Sequence, residues 1–142
     1  MIVYTGGTFD LFHLGHLELL RKLASIGSVT VGLNTDEFIQ KYKGAPPIMS
    51  YEEREAVLLG CKFVSSVIPN LGGADSKPAI LESGASIVAI GSDWARRDYY
   101  SQMNFTQDWL DAHGIWLLYV PYTSGVSSTD VKARIKKMLA TD

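Results

Sequence analysis

Two histidines, His13 and His16, close the run Gly6-Gly7-Thr8-Phe9-Asp10-Leu11-Phe12-His13-Leu14-Gly15-His16, which also carries a hydroxyl, a carboxylate and three glycines. Imidazoles at this spacing share one face if a helix begins there, so both can converge on one anionic group. Gly6 and Gly7 remove Cβ atoms where backbone must approach a ligand. The first N–H groups of a helix lack intrahelical partners, and together with the macrodipole they favour an anion. The chemistry open to such a set is phosphate binding. The plainer alternatives are packed or surface histidines, half of a metal site, or a glycine turn without a ligand. A metal site is poorly supported, because His113 and the single cysteine, Cys61, make no ligand spacing with the pair.

The elements on either side must hold this run in place. Ile2-Val3-Tyr4 reads as a short buried strand, and Leu17, Leu20, Leu23 and Ala24 recur at the spacing of a helix face, so the run is a strand-to-helix turn. Gly27 marks a stop, and Ser28 to Leu33 is a β-branched run that predicts a second buried strand. Strand, helix and strand imply a right-handed parallel crossover, and repetition of that pattern predicts an α/β, doubly wound parallel sheet of about five strands. Phe63 to Ile68 is the third expected strand, closed by Pro69; Ile87 to Ile90 is a central one; Ile115 to Val120 is the last. Ser50 and Glu53 have capping-box spacing for a helix carrying Arg54, Val57, Leu58 and Leu59. Lys77-Pro78 opens a short helix, Asn104 or Thr106 caps another through His113 with Gly114 at its end, and a last helix has Val131, Ile135 and Met138 or Leu139 as its apolar face.

In such sheets ligands bind beyond the carboxyl ends of the strands, so the loops there hold the candidates. After the second strand a loop carries Asn34, Thr35 and Asp36, then Lys41 and Lys43, which by spacing alone are solvated lysines. After the fourth come Gly91, Ser92, Asp93 and Trp94: a turn, a carboxylate able to accept from an exocyclic amino group, and a ring to pack on a base. After the fifth come Tyr122, Thr123, Ser124, Gly125, Val126, Ser127, Ser128 and Thr129, more hydroxyls than one N-cap requires. Arg96, Arg97, Tyr99 and Tyr100 read first as a solvated surface.

The chain has 142 residues, which fits a single domain over 1–142. A hydrophobic share of 46%, a charged share of 20% and a net charge of −2 give no global pull toward nucleic acid or an anionic membrane, so any anion site is local. One cysteine excludes an intramolecular disulfide framework. No charged-then-apolar leader or long apolar span is evident, and a soluble cytoplasmic protein is expected.

The run Gly-Thr-Phe-Asp-x-x-His-x-Gly-His resembles the signature of the HxGH nucleotidyltransferases, in the cytidylyltransferase branch and nearest the glycerol-3-phosphate cytidylyltransferases. The resemblance covers nearly the whole chain in the same order, strongest at the first motif and from Asn34 to Arg54, and it implies a Rossmann-like fold. It implies transfer of CMP from CTP to a small alcohol phosphate, glycerol 3-phosphate above all, with release of pyrophosphate. His13, His16, Lys41 and Lys43 become the catalytic set. Gly7, Thr8, Phe9, Asp10, Gly15, Asp93, Trp94, Thr123, Gly125, Val126, Ser127, Ser128 and Thr129 become nucleotide-binding residues, and Lys41, Lys77 and Arg54 serve the acceptor. Arg54 stands where the family places an arginine that supports the active site or a subunit contact; its plainer reading is an ion pair with Glu52, Glu53 or a neighbouring element. Mg²⁺ follows from triphosphate chemistry and the family, with no metal ligand assigned to the protein, and a homodimer follows from the resemblance. Three departures stand out: Ser92, the missing aromatic before Lys77, and Tyr122 where the family has arginine, a cation that Arg96 or Arg97 is expected to replace. Adenylyl transfer to another phosphorylated acceptor and a non-catalytic nucleotide-binding module are the rival functions.

Overall fold

The structure, a computed structural model, describes residues 1–91, 104–121 and 127–141. In chain order the described elements are β1 (Ile2–Gly7), α1 (Leu14–Ala24), β2 (Ser28–Asn34), α2 (Asp36–Lys43), α3 (Tyr51–Leu59), β3 (Ser66–Asn70), α4 (Lys77–Ser83), β4 (Ile87–Gly91), α5 (Gln107–Ala112), β5 (Trp116–Val120) and α6 (Ser128–Ala140). The five strands form one sheet in the order β3-β2-β1-β4-β5, with every neighbouring pair parallel. The expected doubly wound α/β sheet is thus what the chain forms.

Alternation along the strands sorts side chains into two cores. On one face Val3, Val29, Val31, Leu33, Ile87 and Ala89 meet Leu20 and Leu23 of α1 and Leu58 of α3. On the other, Tyr4, Val88 and Ile90 meet Ala79 and Ile80 of α4 and Leu110 of α5. Tyr4 lies under the sheet at Gly32, where an added Cβ would fall 2.0 Å from its hydroxyl oxygen, so only glycine fits at this strand position. Burial pushes the pKa of that hydroxyl up, and it has no hydrogen-bond partner among the described residues.

Three expectations need correction. The third strand runs Ser66–Asn70 rather than Phe63 to Ile68, and Pro69 lies within it, paired with Leu33. β3 is an edge strand with one neighbour, so a residue without an N–H is tolerated there. Lys41 and Lys43 lie in a helix rather than a loop: Thr35 caps α2 by accepting from the Phe38 N–H, and Gly44 ends it at φ 77°. The last helix buries no residue, and Ile135, Met138 and Leu139 are 47%, 69% and 70% exposed. Periodicity identified an apolar face there but says nothing about what covers it.

Candidate functional site

The sheet reverses its winding between β1 and β4, because α1 leads from β1 to β2 on one side whereas α4 leads back across to β4. A crevice at the carboxyl ends of these strands is the general ligand site of such folds. Gly6 to His16 occupies that place.

Here the two histidines form the cap of α1. His13 is the N-cap residue, and its Nδ1 accepts the Gly15 N–H at 3.0 Å; the Nδ1 of His16 accepts the His13 N–H at 3.2 Å. The rings stack, with centroids 3.8 Å apart, and Phe9 and Phe12 flank His16 at 5.0 and 5.5 Å. Burial, with His13 alongside, pushes the His16 imidazole down from 6.5 to about 3, against a smaller opposing effect of Asp10. Burial also lowers His13, with Arg134 of α6 acting in the same direction and Asp130 opposing. Both rings are therefore neutral near pH 7. Since each Nδ1 accepts a backbone proton, each ring carries its own proton on Nε2. The result is a pair of neutral N–H donors held by the backbone of one helix start.

Asp10 is buried and faces inward. Its Oδ2 accepts the Ile48 N–H at 2.7 Å, and its Oδ1 accepts the N–H groups of Met49 and Leu11 at 2.9 and 3.1 Å. The carboxylate thus fixes the chain entering α3 against the histidine loop. The loop itself is strained, with Phe9 and Leu11 both at φ 51°, a region that side chains with a Cβ seldom adopt. Ser127 caps α6 through the Asp130 N–H, which leaves the Ser128 hydroxyl free to donate to the Asp10 carbonyl at 2.9 Å. A second helix start is brought to the same loop by that bond. Thr129 follows it and is exposed.

Arg54 takes a role that spacing alone did not disclose. It is 0% exposed. Its Nη1 donates to the carbonyls of Thr8 (2.8 Å) and Asn34 (2.9 Å), its Nε to Met49 O (3.0 Å), and its Nη2 pairs with Asp36 Oδ1 at 2.6 Å. The ion pair expected of it forms with α2, not with Glu52 or Glu53. With four of its donors committed inside the protein, Arg54 ties the ends of β1 and β2 to α2 and α3 and is a positioning residue; contact with an acceptor is not the role this placement gives it.

Lys41 and Lys43 are exposed in the last turn of α2 and make no ion pair with a described residue. Lys77 pairs with Asp75 at 3.1 Å and donates to the Asn104 carbonyl. No described bond joins these three lysines to the histidine loop. Asp93, Trp94, Thr123, Gly125 and Val126, together with Arg96, Arg97 and Tyr122, lie outside the described residues. Among the described residues no group of three His, Cys, Asp or Glu could hold a metal ion, and both Asp10 oxygens already accept backbone protons. A groove of about 520 Å³ lies elsewhere, between α1 and α3, lined by Phe12, Leu17, Val57 and Phe63.

Sequence reasoning missed Asn70, Asp36 as the partner of Arg54, and the part played by Asn34. Asn70 donates to Asn34 Oδ1 at 3.1 Å and Asn34 to Thr8 Oγ1 at 3.2 Å. The available signal was two asparagines ending adjacent parallel strands, which becomes visible only once the register is known.

The sequence profile of a family described as cytidylyltransferase-like matches residues 4–134. A glycerol-3-phosphate cytidylyltransferase of Bacillus subtilis (strain 168) is 34% identical over 135 residues, covering 94% of this chain and 95% of the relative. Its namesake in Staphylococcus aureus (strain NCTC 8325 / PS 47) is 31% identical over 134 residues, covering 94% and 93%. Among solved structures, a lipopolysaccharide core biosynthesis protein from Thermoplasma volcanium GSS1 superposes with a TM-score of 0.69 at 24% identity, over 87% of this chain and 98% of that one, a likeness of fold.

Proposed function

The chain belongs to the cytidylyltransferase-like family, and we propose that it transfers a cytidylyl group from CTP to a small alcohol phosphate, glycerol 3-phosphate first among candidates, releasing pyrophosphate. The observation that carries the proposal is the neutral, stacked histidine pair at the start of α1, with the start of α6 fastened to the same loop. Two relatives named for this acceptor align with nearly the whole chain.

An oxygen of the acceptor phosphate attacks the α-phosphorus, the new P–O bond forms, and the bond to the β-phosphate oxygen breaks as pyrophosphate leaves. No covalent intermediate on the protein is needed, so catalysis is positioning plus electrostatics. The Nε2–H groups of His13 and His16 stabilise charge gathering on the phosphates, and as neutral donors they do so without a proton to lose near pH 7. Lys41 and Lys43, in the last turn of α2, would supply mobile cations for the charge of nucleotide and acceptor. Arg54 keeps Thr8 and Met49 in place. Bound with CTP, Mg²⁺ would supply countercharge to the triphosphate; among the described residues no group of three His, Cys, Asp or Glu would hold it. We place the enzyme in the cytoplasm, as one domain and as a homodimer; the exposed Ile135, Met138 and Leu139 and the apolar α1/α3 groove support self-association, which light scattering after size exclusion checks.

The test is pyrophosphate release with CTP or ATP across glycerol 3-phosphate and other phosphorylated alcohols. We expect release with CTP and glycerol 3-phosphate; release with ATP alone would overturn the assignment. In His16→Ala kcat should fall about 100- to 1000-fold, with a much smaller change in KM. Near-normal turnover in that variant would remove the histidine pair from the mechanism.

A further inference from the structure

Asn34 and Asn70 are registered partners at the carboxyl ends of β2 and β3. The Nδ2 of Asn70 donates twice, to Asn34 Oδ1 at 3.1 Å and to the Gly73 carbonyl at 3.0 Å. An amide has one end that only accepts and one that only donates. Flipping Asn70 would set its oxygen against two acceptors, so its orientation is fixed. That fixes Asn34 in turn: its oxygen faces Asn70, and its Nδ2 donates to Thr8 Oγ1 at 3.2 Å. The Thr8 hydroxyl is left as the last link, with its oxygen already accepting and its proton without an acceptor among the described residues. At the far end Asn70 is 4% exposed and its Oδ1 has no partner among the described residues. The fold leaves a buried acceptor unsatisfied while keeping both of Asn70's donated bonds.

We propose that Asn70 and Asn34 form a directional relay that makes the Thr8 hydroxyl a dedicated donor to a phosphate oxygen of the bound nucleotide. A threonine hydroxyl can normally donate or accept, and it rotates to suit its neighbour. Because Asn34 donates to its oxygen, Thr8 cannot turn its proton toward that neighbour, and the proton is left for another acceptor. An anionic phosphate oxygen meets that requirement. Asn34 and Asn70 are positioning residues that act through Thr8, and Thr8 belongs with the Nε2–H groups of His13 and His16 as a third neutral donor. The inference rests on the reading of the chain as a cytidylyltransferase.

A double-mutant cycle separates this role from simple structural support. In Asn34→Asp the new side chain has no proton to offer, so the Thr8 hydroxyl turns to donate to it and its proton is withdrawn from the ligand. The added charge also acts on the phosphates directly, but that part persists when Thr8→Val has removed the hydroxyl. We expect Asn34→Asp to raise the KM for CTP about tenfold more in the Thr8 background than in the Thr8→Val background. Thr8→Ser, which keeps a hydroxyl, should preserve the coupling. Equal effects in both backgrounds, in turnover-competent protein, would overturn the relay and leave the transferase reading intact. If melting curves show that Asn34→Asp does not fold, Asn70→Leu takes its place in the cycle, with a coupling of about threefold expected and additivity again the overturning result. A wild-type chain that neither releases pyrophosphate from CTP nor binds CTP in calorimetry would sink the transferase reading and the relay with it.

Discussion

The helix that begins at His13 and the helix that begins at Ser127 both bring their first N–H groups toward one loop, but they are anchored very differently. α1 sends Leu20 and Leu23 into the core and is capped by the two stacked histidine rings. α6 buries none of its residues, and Ser128 donating to the Asp10 carbonyl joins it to the loop. The loop beneath α1 is fastened again from below by Arg54 and from the side by Asp10. One wall of the site is thus continuous with the core, and the other is joined to the loop by the hydrogen bond from Ser128. A fixed wall suits donors that must meet developing charge within a fraction of an ångström, whereas a lightly attached wall can adjust as substrate enters and product leaves.

Breaking the fixed wall should have the largest effect. Arg54→Met leaves the Thr8, Asn34 and Met49 carbonyls without their donor and Asp36 without its partner, and should lower the unfolding free energy by about 3–5 kcal/mol in denaturant titrations. Retention of wild-type stability would show that the arginine is not the tie it resembles.

Next is the effect of pH. The folded-state pKa of His16 is depressed from 6.5 to about 3, so its contribution to stability is fully present above 6.5 and is lost as pH falls toward 3. Below 6.5 the unfolded chain takes up a proton that the folded chain refuses, at no more than about 1.4 kcal/mol per pH unit. His16→Asn should flatten the stability profile between pH 6 and pH 4 relative to wild type; parallel profiles would place the buried proton deficit elsewhere. The smallest effect belongs to the adjustable wall. Ser128→Ala removes one hydrogen bond, worth about 1 kcal/mol, and should raise the KM for CTP by about threefold to tenfold while the melting temperature barely moves. A large loss of stability there would mean that α6 is better anchored than its exposure indicates.

The fixed wall was also the more legible in sequence. Glycines, a hydroxyl, a carboxylate and two histidines between an apolar run and an amphipathic one marked the cradle, and Ser50 with Glu53 marked the start of α3. What remained hidden depends on tertiary register. Asn34 and Asn70 are 36 residues apart and meet because β2 and β3 pair in parallel. The burial of Arg54 depends on four partners drawn from separate elements, and no local pattern encodes that. The end of β3 was misplaced because proline reads as a stop unless the strand is known to lie at an edge. α2 has ordinary boundary signals, Thr35 before it, Asp36 and Glu37 in its first turn and Gly44 after it, but it is short and buries Ile39 alone, so its apolar periodicity is weak.

Phe9 and Leu11, both held in the left-handed region, also make stability and activity compete at single positions. Glycine adopts that backbone without strain, so a selection for heat resistance alone would be drawn toward glycine at position 11, next to Asp10 and two residues before the cap of α1. The conformational freedom that glycine brings would loosen the loop on which both walls meet. A search for a more durable form of this protein would do better to start on the opposite edge of the sheet or on the outer faces of its helices.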